Sequence, residues 1–210
     1  MSRPRFVAPP SLVLGRDLND RVEVADQRRQ RTEVDEILRR FRSQPGVILA
    51  DEVGMGKTFV ALGVAYSVAV TDPTGPVIIM APPGLLTKWA NDLTTFAELY
   101  VEKAVVHAVD AAPSAATKGT TVIRYGIARH SVDLMRLLDD APRDRAHIIF
   151  LAQGAMRRKQ TDKWIRLALV AEALRRHGRG RAERLIAVRR QIHRFLARLI
   201  SAVGEERAWG

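Results

Sequence analysis

The sequence predicts an α/β fold in which helices cover both faces of a parallel sheet. Short, wholly apolar runs alternate along the chain with longer segments of helical periodicity, and a glycine-containing loop joins one such run to an apolar helical segment. Short apolar runs are typical of parallel strands buried on both faces, and their alternation with helices favours a parallel sheet. With 210 residues, 47% of them hydrophobic, the chain is long enough to bury a core of this kind.

The predicted elements follow one another from the amino terminus. After an extended lead-in, apolar residues at helical spacing predict a helix over 32–42, which Thr32 and Asp35 would begin with a capping box. The apolar run 47–50 predicts the first buried strand. Beyond the loop the pattern predicts, in turn, helix 58–70, strand 77–81, helix 85–99, strand 104–109, a small-residue loop over 110–119, helix 131–138 and strand 147–151.

The positive charge of the chain is concentrated in residues 151–210. The net charge is +11; residues 1–150 hold 19 Lys and Arg against 18 Asp and Glu, whereas residues 151–210 hold 15 against 5. Apolar residues at steps of three and four across 164–199 predict a basic helical hairpin. This excess favours an anionic partner, nucleic acid before an acidic protein or a lipid surface. A solvated face on Arg-rich helices is the alternative.

Several classes of protein are excluded or disfavoured by composition. The chain has no cysteine, which excludes disulfides, thiolate zinc sites and cysteine nucleophiles. No apolar run reaches the ~18 residues of a membrane span, and no hydrophobic stretch follows Arg3 and Arg5, so a secretory signal is not expected. The five histidines show no metal-ligand spacing. We therefore expect a cytoplasmic protein without a membrane partner.

The strongest signal for chemistry is ADEVGMGKT, which occupies positions 50–58 directly after the apolar run. Gly54 and Gly56 allow the backbone to curl so that consecutive N–H groups point at phosphate oxygens, and the following helix adds its positive dipole end. Lys57 is expected to reach the β- and γ-phosphates, and the Thr58 hydroxyl to ligate Mg²⁺. The predicted ATP- and Mg²⁺-binding loop comprises Glu52, Val53, Gly54, Met55, Gly56, Lys57 and Thr58. A glycine-containing turn without a ligand is the alternative, since Asp stands at position 51 where the general pattern has Gly.

This loop resembles motif I of the Swi/Snf-type DNA translocases in helicase superfamily two, where Asp also replaces the usual Gly. Gln30 lies 27 residues before Lys57, close to where that family keeps the glutamine that reads adenine. An ordinary exposed glutamine is the alternative reading of Gln30. The resemblance assigns catalytic roles to Lys57 and Thr58 and implies a three-layered RecA-like lobe that couples ATP hydrolysis to movement on nucleic acid, double-stranded DNA above all.

Two further segments are similar to motifs of that family. VIIMAPPGLLTKWANDLTTF, at 77–96, resembles motif Ia, with Trp89 and Phe96 seven residues apart. IIFLAQGAMRR, at 148–158, resembles motif Ib, although Ala152 and Gln153 replace the usual hydroxyl residue. Core packing is the favoured role of Trp89 over base stacking. The predicted nucleic-acid contacts are Thr87, Lys88, Arg157, Arg158, Arg189, Arg190 and Arg194.

The family's acidic motif, Asp-Glu-x-His, does not occur in the 210 residues. In the family it supplies the Mg²⁺-binding acid and the water-activating glutamate. We therefore expect a lead-in over 1–29, the front part of an ATP-binding lobe over 30–158, and the basic hairpin over 159–210, with the chain cut short after it. Such a chain would bind ATP without turning it over.

Partners implied by the resemblance are a missing C-terminal helicase half or the subunits of a phage-defence complex, since bacterial members occur both alone and in such systems. Two other functions stay open at this stage. One is a non-catalytic remnant that binds nucleotide or DNA, and the other is a phosphate-loop ATPase of another family.

Overall fold

The computed structural model describes residues 6–16, 22–50, 54–72, 74–110, 119–140 and 144–155. Within them one sheet contains β1 (Val77–Ala81), β2 (Ala104–Ala108), β3 (Thr121–Ala128) and β4 (Ile148–Ala152), and the α-helices are α1 (Val24–Arg40), α2 (Lys57–Thr71), α3 (Leu86–Tyr100) and α4 (Ser131–Asp139). The strands are all parallel, in the order β1-β4-β3-β2. The predicted α/β, RecA-like fold with an incomplete sheet is confirmed. The predicted hairpin within 159–210 lies outside the described residues.

Strand β4 is the centre of the described sheet. It pairs with β1 on one side and β3 on the other, and all five of its residues are buried. Burial of side chains on both faces of the strand explains why its sequence is an unbroken apolar run.

Helices lie on both faces of the sheet. The Phe150 ring of β4 contacts Trp89 of α3, with ring centroids 6.4 Å apart. Gly126 of β3 is in register with Ile149, the neighbour of Phe150, and a Cβ at Gly126 would collide with the side chain of Leu137 in α4. Because successive strand residues point to opposite faces, α3 and α4 cover opposite faces, which gives three layers.

Helix α1 begins at Val24, eight residues before the predicted start at residue 32. The predicted capping box is wrong, because the Thr32 hydroxyl donates to the Arg28 carbonyl inside the helix (2.9 Å) and Asp35 accepts from Nε of Arg31 (2.9 Å). Residues 24–31 contain few apolar side chains, so their helical period is hidden from a hydrophobicity pattern. Ion pairs one turn apart stabilise this polar stretch instead.

The predicted strand at 47–50 is wrong. These residues form no strand, and the Ile48 side chain is 92% exposed. A strand requires a neighbouring backbone to accept its hydrogen bonds, and residues 47–50 pair with none of the described strands, although β1 has an unpaired edge within the described residues. Within the described residues, strand β1 pairs with a neighbour on one side only, and its Ile78 and Met80 are exposed. The expectation that the apolar run 77–81 forms a wholly buried strand is therefore also wrong.

Strand β3 was not expected from the sequence. Arg124 and Gly126 interrupt its apolar residues and hide the pattern, although pairing with both β2 and β4 makes it the longest strand described.

A matched pair of substitutions tests this arrangement. Ile149→Ala should lower the free energy of unfolding by ~2–5 kcal/mol, because Ile149 is fully buried in β4. Ile48→Ala should change it by no more than about 0.5 kcal/mol, since the side chain contacts mainly solvent. Urea denaturation of both variants measures the difference. Equal losses would mean that Ile48 belongs to a buried strand after all.

Candidate functional site

The described part of the predicted phosphate-binding loop, residues 54–58, lies at the carboxyl edge of the sheet. We call this segment the phosphate loop. Tyr66, Ala69 and Val70, near the end of α2, line one cavity together with the first residues of β3 and β4. The carboxyl end of α2 therefore lies at the amino edge of the sheet. Helix α2 has 15 residues and is about 22 Å long at ~1.5 Å per residue, so its amino end reaches the opposite edge. Ligands bind at that edge in open α/β sheets.

The loop enters α2 through glycines in the left-handed region. Gly54 has φ +92° and Gly56 has φ +75°, and Gly56 is the N-cap of α2. Lys57 and Thr58 are the first two residues of the helix and are half-buried. The first-turn amides of any helix have no acceptor within the helix, and the helix dipole adds positive potential there. The arrangement is suited to an anion such as phosphate. Glu52 and Val53 lie outside the described residues.

Gln30 packs directly on this loop. Its residue is only 4% exposed, so the reading of an ordinary exposed glutamine is wrong. A Cβ on Gly56 would collide with Nε2 of Gln30. Oε1 of Gln30 is buried and has no hydrogen-bond partner among the described residues. A primary amide offers two donors and an acceptor, and here the acceptor is available beside the loop.

Arg29, the residue before Gln30, also reaches the loop and was not singled out from the sequence. Its Nη2 donates to the Met55 carbonyl (2.6 Å), and its Nη1 donates to Oε1 of Glu33. Burial opposes the charge, but the hydrogen bond to Glu33 and the charges of Glu33 and Asp26 outweigh it and raise the pKa of Arg29. An acid four residues after Arg29 is visible in the sequence, whereas the contact with Met55, 26 residues away, is not.

The segments that resemble motifs Ia and Ib meet at the same edge of the sheet. The amide of Gln153, just beyond β4, donates to the carbonyl of Ala81 at the end of β1 (2.8 Å). Thr87 and Lys88 are exposed in the first turn of α3, which follows β1. Nζ of Lys88 pairs with Oδ2 of Asp92 (2.6 Å). Thr87 and Lys88 therefore stand where an anionic strand could approach the carboxyl edge.

The remaining candidate residues divide into two groups. Trp89 is half-buried against Phe150, as the favoured core-packing role requires. The predicted contacts Arg157, Arg158, Arg189, Arg190 and Arg194 lie outside the described residues.

Among the residues that the structure places, no group of three or more His, Asp and Glu could hold a metal ion, and no helix there has the length and apolar character of a membrane span.

Comparisons of the sequence with known proteins place the chain in a family. The profile of the SNF2-related domain matches residues 27–168. The chain is similar to chromodomain-helicase-DNA-binding protein 9 of Mus musculus, with 35% identity over 54 residues, which is 26% of this chain and 2% of that protein. It is also similar to chromodomain-helicase-DNA-binding protein 8 of Homo sapiens, with 27% identity over 99 residues, which is 47% of this chain and 4% of that protein. The chain thus matches only a small part of these much longer relatives.

Proposed function

The chain belongs to the SNF2-related domain family, and from this premise we propose that it is the ATP-binding lobe of an ATP-dependent helicase or translocase that acts on DNA. The observation that carries the proposal is the phosphate loop: Gly56 starts α2 in a left-handed conformation while the buried Gln30 packs against it. Membership in this family also favours the proposal over an ATPase of another phosphate-loop family.

Each residue of the loop has a proposed role toward ATP and Mg²⁺. The backbone amides over 52–58 would surround the phosphates, with Lys57 pairing with the β- and γ-phosphate oxygens. The Thr58 hydroxyl would be a ligand of Mg²⁺. Their positions at the start of α2 support these roles, because Lys57 and Thr58 are the first two residues of the helix and directly follow Gly56.

Gln30 is the proposed reader of adenine. Adenine presents an amino donor and a ring-nitrogen acceptor side by side, and a glutamine amide can pair with both. The buried Oε1 of Gln30 without a partner among the described residues supports this role, since a buried acceptor left unpaired is unfavourable. Guanine presents an acceptor in place of the amino group, so the same amide would discriminate against it.

DNA is the proposed partner at the carboxyl edge of the sheet. Thr87 and Lys88 would contact its backbone, because the start of a helix and a cation both favour phosphate. Arg157 and Arg158 of the segment that resembles motif Ib, and Arg189, Arg190 and Arg194 of the hairpin, remain predicted contacts from the sequence. A cytoplasmic location, a stand-alone or phage-defence setting, and a partner that completes the helicase also stay predictions.

Hydrolysis requires more than a phosphate loop. It needs a carboxylate that holds Mg²⁺, a group that orients the attacking water, and positive charge on the γ-phosphate in the transition state. Since Asp-Glu-x-His is absent from the 210 residues, we propose that this chain binds ATP and that residues outside this sequence complete turnover. The second candidate, a non-catalytic module that binds nucleotide or DNA, is favoured by the same absence.

Lys57→Ala should lower the affinity for Mg²⁺-ATP by at least about tenfold, because it removes the charge that pairs with the phosphates. Isothermal titration calorimetry measures the affinity. Arg136→Ala is the matched control: it removes one cation from an exposed position on α4 and should leave the affinity unchanged. If Lys57→Ala binds ATP as tightly as the unmodified protein, the assignment of the loop is wrong.

Binding of double-stranded DNA should weaken steeply with salt. Replacing Arg189, Arg190 and Arg194 with Gln should flatten the slope of log K against log salt concentration by about 0.9 for each phosphate contact removed. Fluorescence anisotropy with a labelled duplex measures this slope. The control replaces three exposed arginines at the end of α1, Arg39, Arg40 and Arg42, and should leave the slope intact. An unchanged slope in the hairpin variant would mean that these arginines form a solvated face and do not contact DNA.

A further inference from the structure

Arg29 contacts a peptide group of the loop that precedes α2. Its Nη2 donates to the carbonyl of Met55 (2.6 Å). In a trans peptide that carbonyl and the N–H of Gly56 lie in one plane and point in opposite directions, and the described residues contain no cis peptide bond. Holding the Met55 carbonyl toward α1 therefore directs the Gly56 amide away from α1. Without this bond the peptide could rotate, since glycine adopts both signs of φ.

The acidic neighbours of Arg29 make it a rigid support. Nη1 donates to Oε1 of Glu33, one turn along α1, and Nη2 lies 3.5 Å from Oδ1 of Asp26, one turn before. The planar guanidinium fork can hold Glu33 and the Met55 carbonyl at the same time, whereas one ammonium group lacks that fixed geometry. The side chain is 29% exposed and that of Glu33 is 21% exposed, so solvent screens this pair less than a fully exposed one.

We propose that Arg29 is a positioning residue that orients the Met55–Gly56 peptide of the phosphate loop before nucleotide binds. The effect of Arg29 on ATP affinity rests on the proposed function. The hydrogen bond by which Arg29 restrains the loop does not, because it forms without any ligand. The two carboxylates already neutralise much of the Arg29 charge, so Arg29 acts through the loop backbone and not as a cation on the phosphates.

Hydrogen–deuterium exchange of the nucleotide-free full chain tests the restraint. Arg29→Gln should speed exchange of the Phe59 and Val60 amides, which donate to the Gly56 carbonyl, about tenfold, the effect expected for loss of one hydrogen bond to a charged group. Arg29→Lys should give a similar increase, because the charge stays but the fork is lost. Arg39→Gln is the matched control: Arg39 also forms an ion pair on α1, with Glu36, and its removal should not change exchange of these two amides. Unchanged exchange in Arg29→Gln would overturn the proposal.

The affinity for Mg²⁺-ATP separates positioning from direct contact with phosphate. If Arg29 positions the loop, Arg29→Gln and Arg29→Lys should both lose about tenfold in affinity. Glu33→Gln should also lose affinity, because the guanidinium group of Arg29 then loses the carboxylate that holds it. If Arg29 were a phosphate cation, Arg29→Lys would retain affinity and Glu33→Gln would gain it, which would overturn the proposal. Failure of the unmodified protein to bind ATP would contradict the proposed function but leave the exchange result to decide the role of Arg29. Glu33→Gln provides the exchange test even if the Arg29 variants fail to fold.

Discussion

The contact between Gln30 and Gly56 is the constraint on which the candidate site depends. Gly56 must have a positive φ to start α2, and the side chain of Gln30 occupies the space that a Cβ would need. A residue with a side chain at position 56 would therefore meet both backbone strain and a steric clash. The requirement joins three parts of the molecule: α1, the phosphate loop and the amino end of α2.

Helix α1 positions the loop because no described strand does so. The residues before the loop, 47–50, form no strand, so the sheet does not fix the direction in which the chain enters the loop. Helix α1 is instead anchored in the core by Val34 and Leu38, both buried. From the turn before this anchor it presents Arg29 to the backbone of the loop and Gln30 to Gly56. Packing of α1 against the phosphate loop thus fixes the position of the loop, as a preceding parallel strand would otherwise do.

Much of the fold could be predicted from the sequence, and the errors have physical causes. Helices α2, α3 and α4 and strands β1, β2 and β4 were predicted within one or two residues, because their apolar residues carry a clear period or a continuous run. The start of α1 was missed because charged residues stabilise it, and β3 because Arg124 and Gly126 interrupt it. The run 47–50 has the composition of a buried strand, but composition does not say whether the run will pair with a neighbouring strand.

For the candidate site too, some features could be predicted from the sequence and others could not. The glycines, Lys57 and Thr58 could be located from their order after an apolar run, since the phosphate loop is a local motif. The resemblance to the family, which keeps a glutamine at about this distance before motif I, could suggest that Gln30 and Lys57 share a site, but not that Gln30 is buried. Arg29 could not be found, because its contact with the Met55 carbonyl depends on how α1 packs against the loop and leaves no residue-type signature at position 55.

A double-mutant cycle between Gln30 and Gly56 tests most directly whether α1 and the phosphate loop are one packed unit. Gly54 is the internal control, because it also has a positive φ but no atom of the described residues lies within 4 Å of the Cβ that Ala would add. Gly54→Ala should cost about 1 kcal/mol of unfolding free energy from backbone strain alone, and Gly56→Ala should cost more, because the amide of the buried Gln30 must also move away from the new Cβ. In a Gln30→Ala background the cost of Gly56→Ala should fall to that of Gly54→Ala. A cost of Gly56→Ala that equals that of Gly54→Ala and is the same with and without Gln30 would contradict the account.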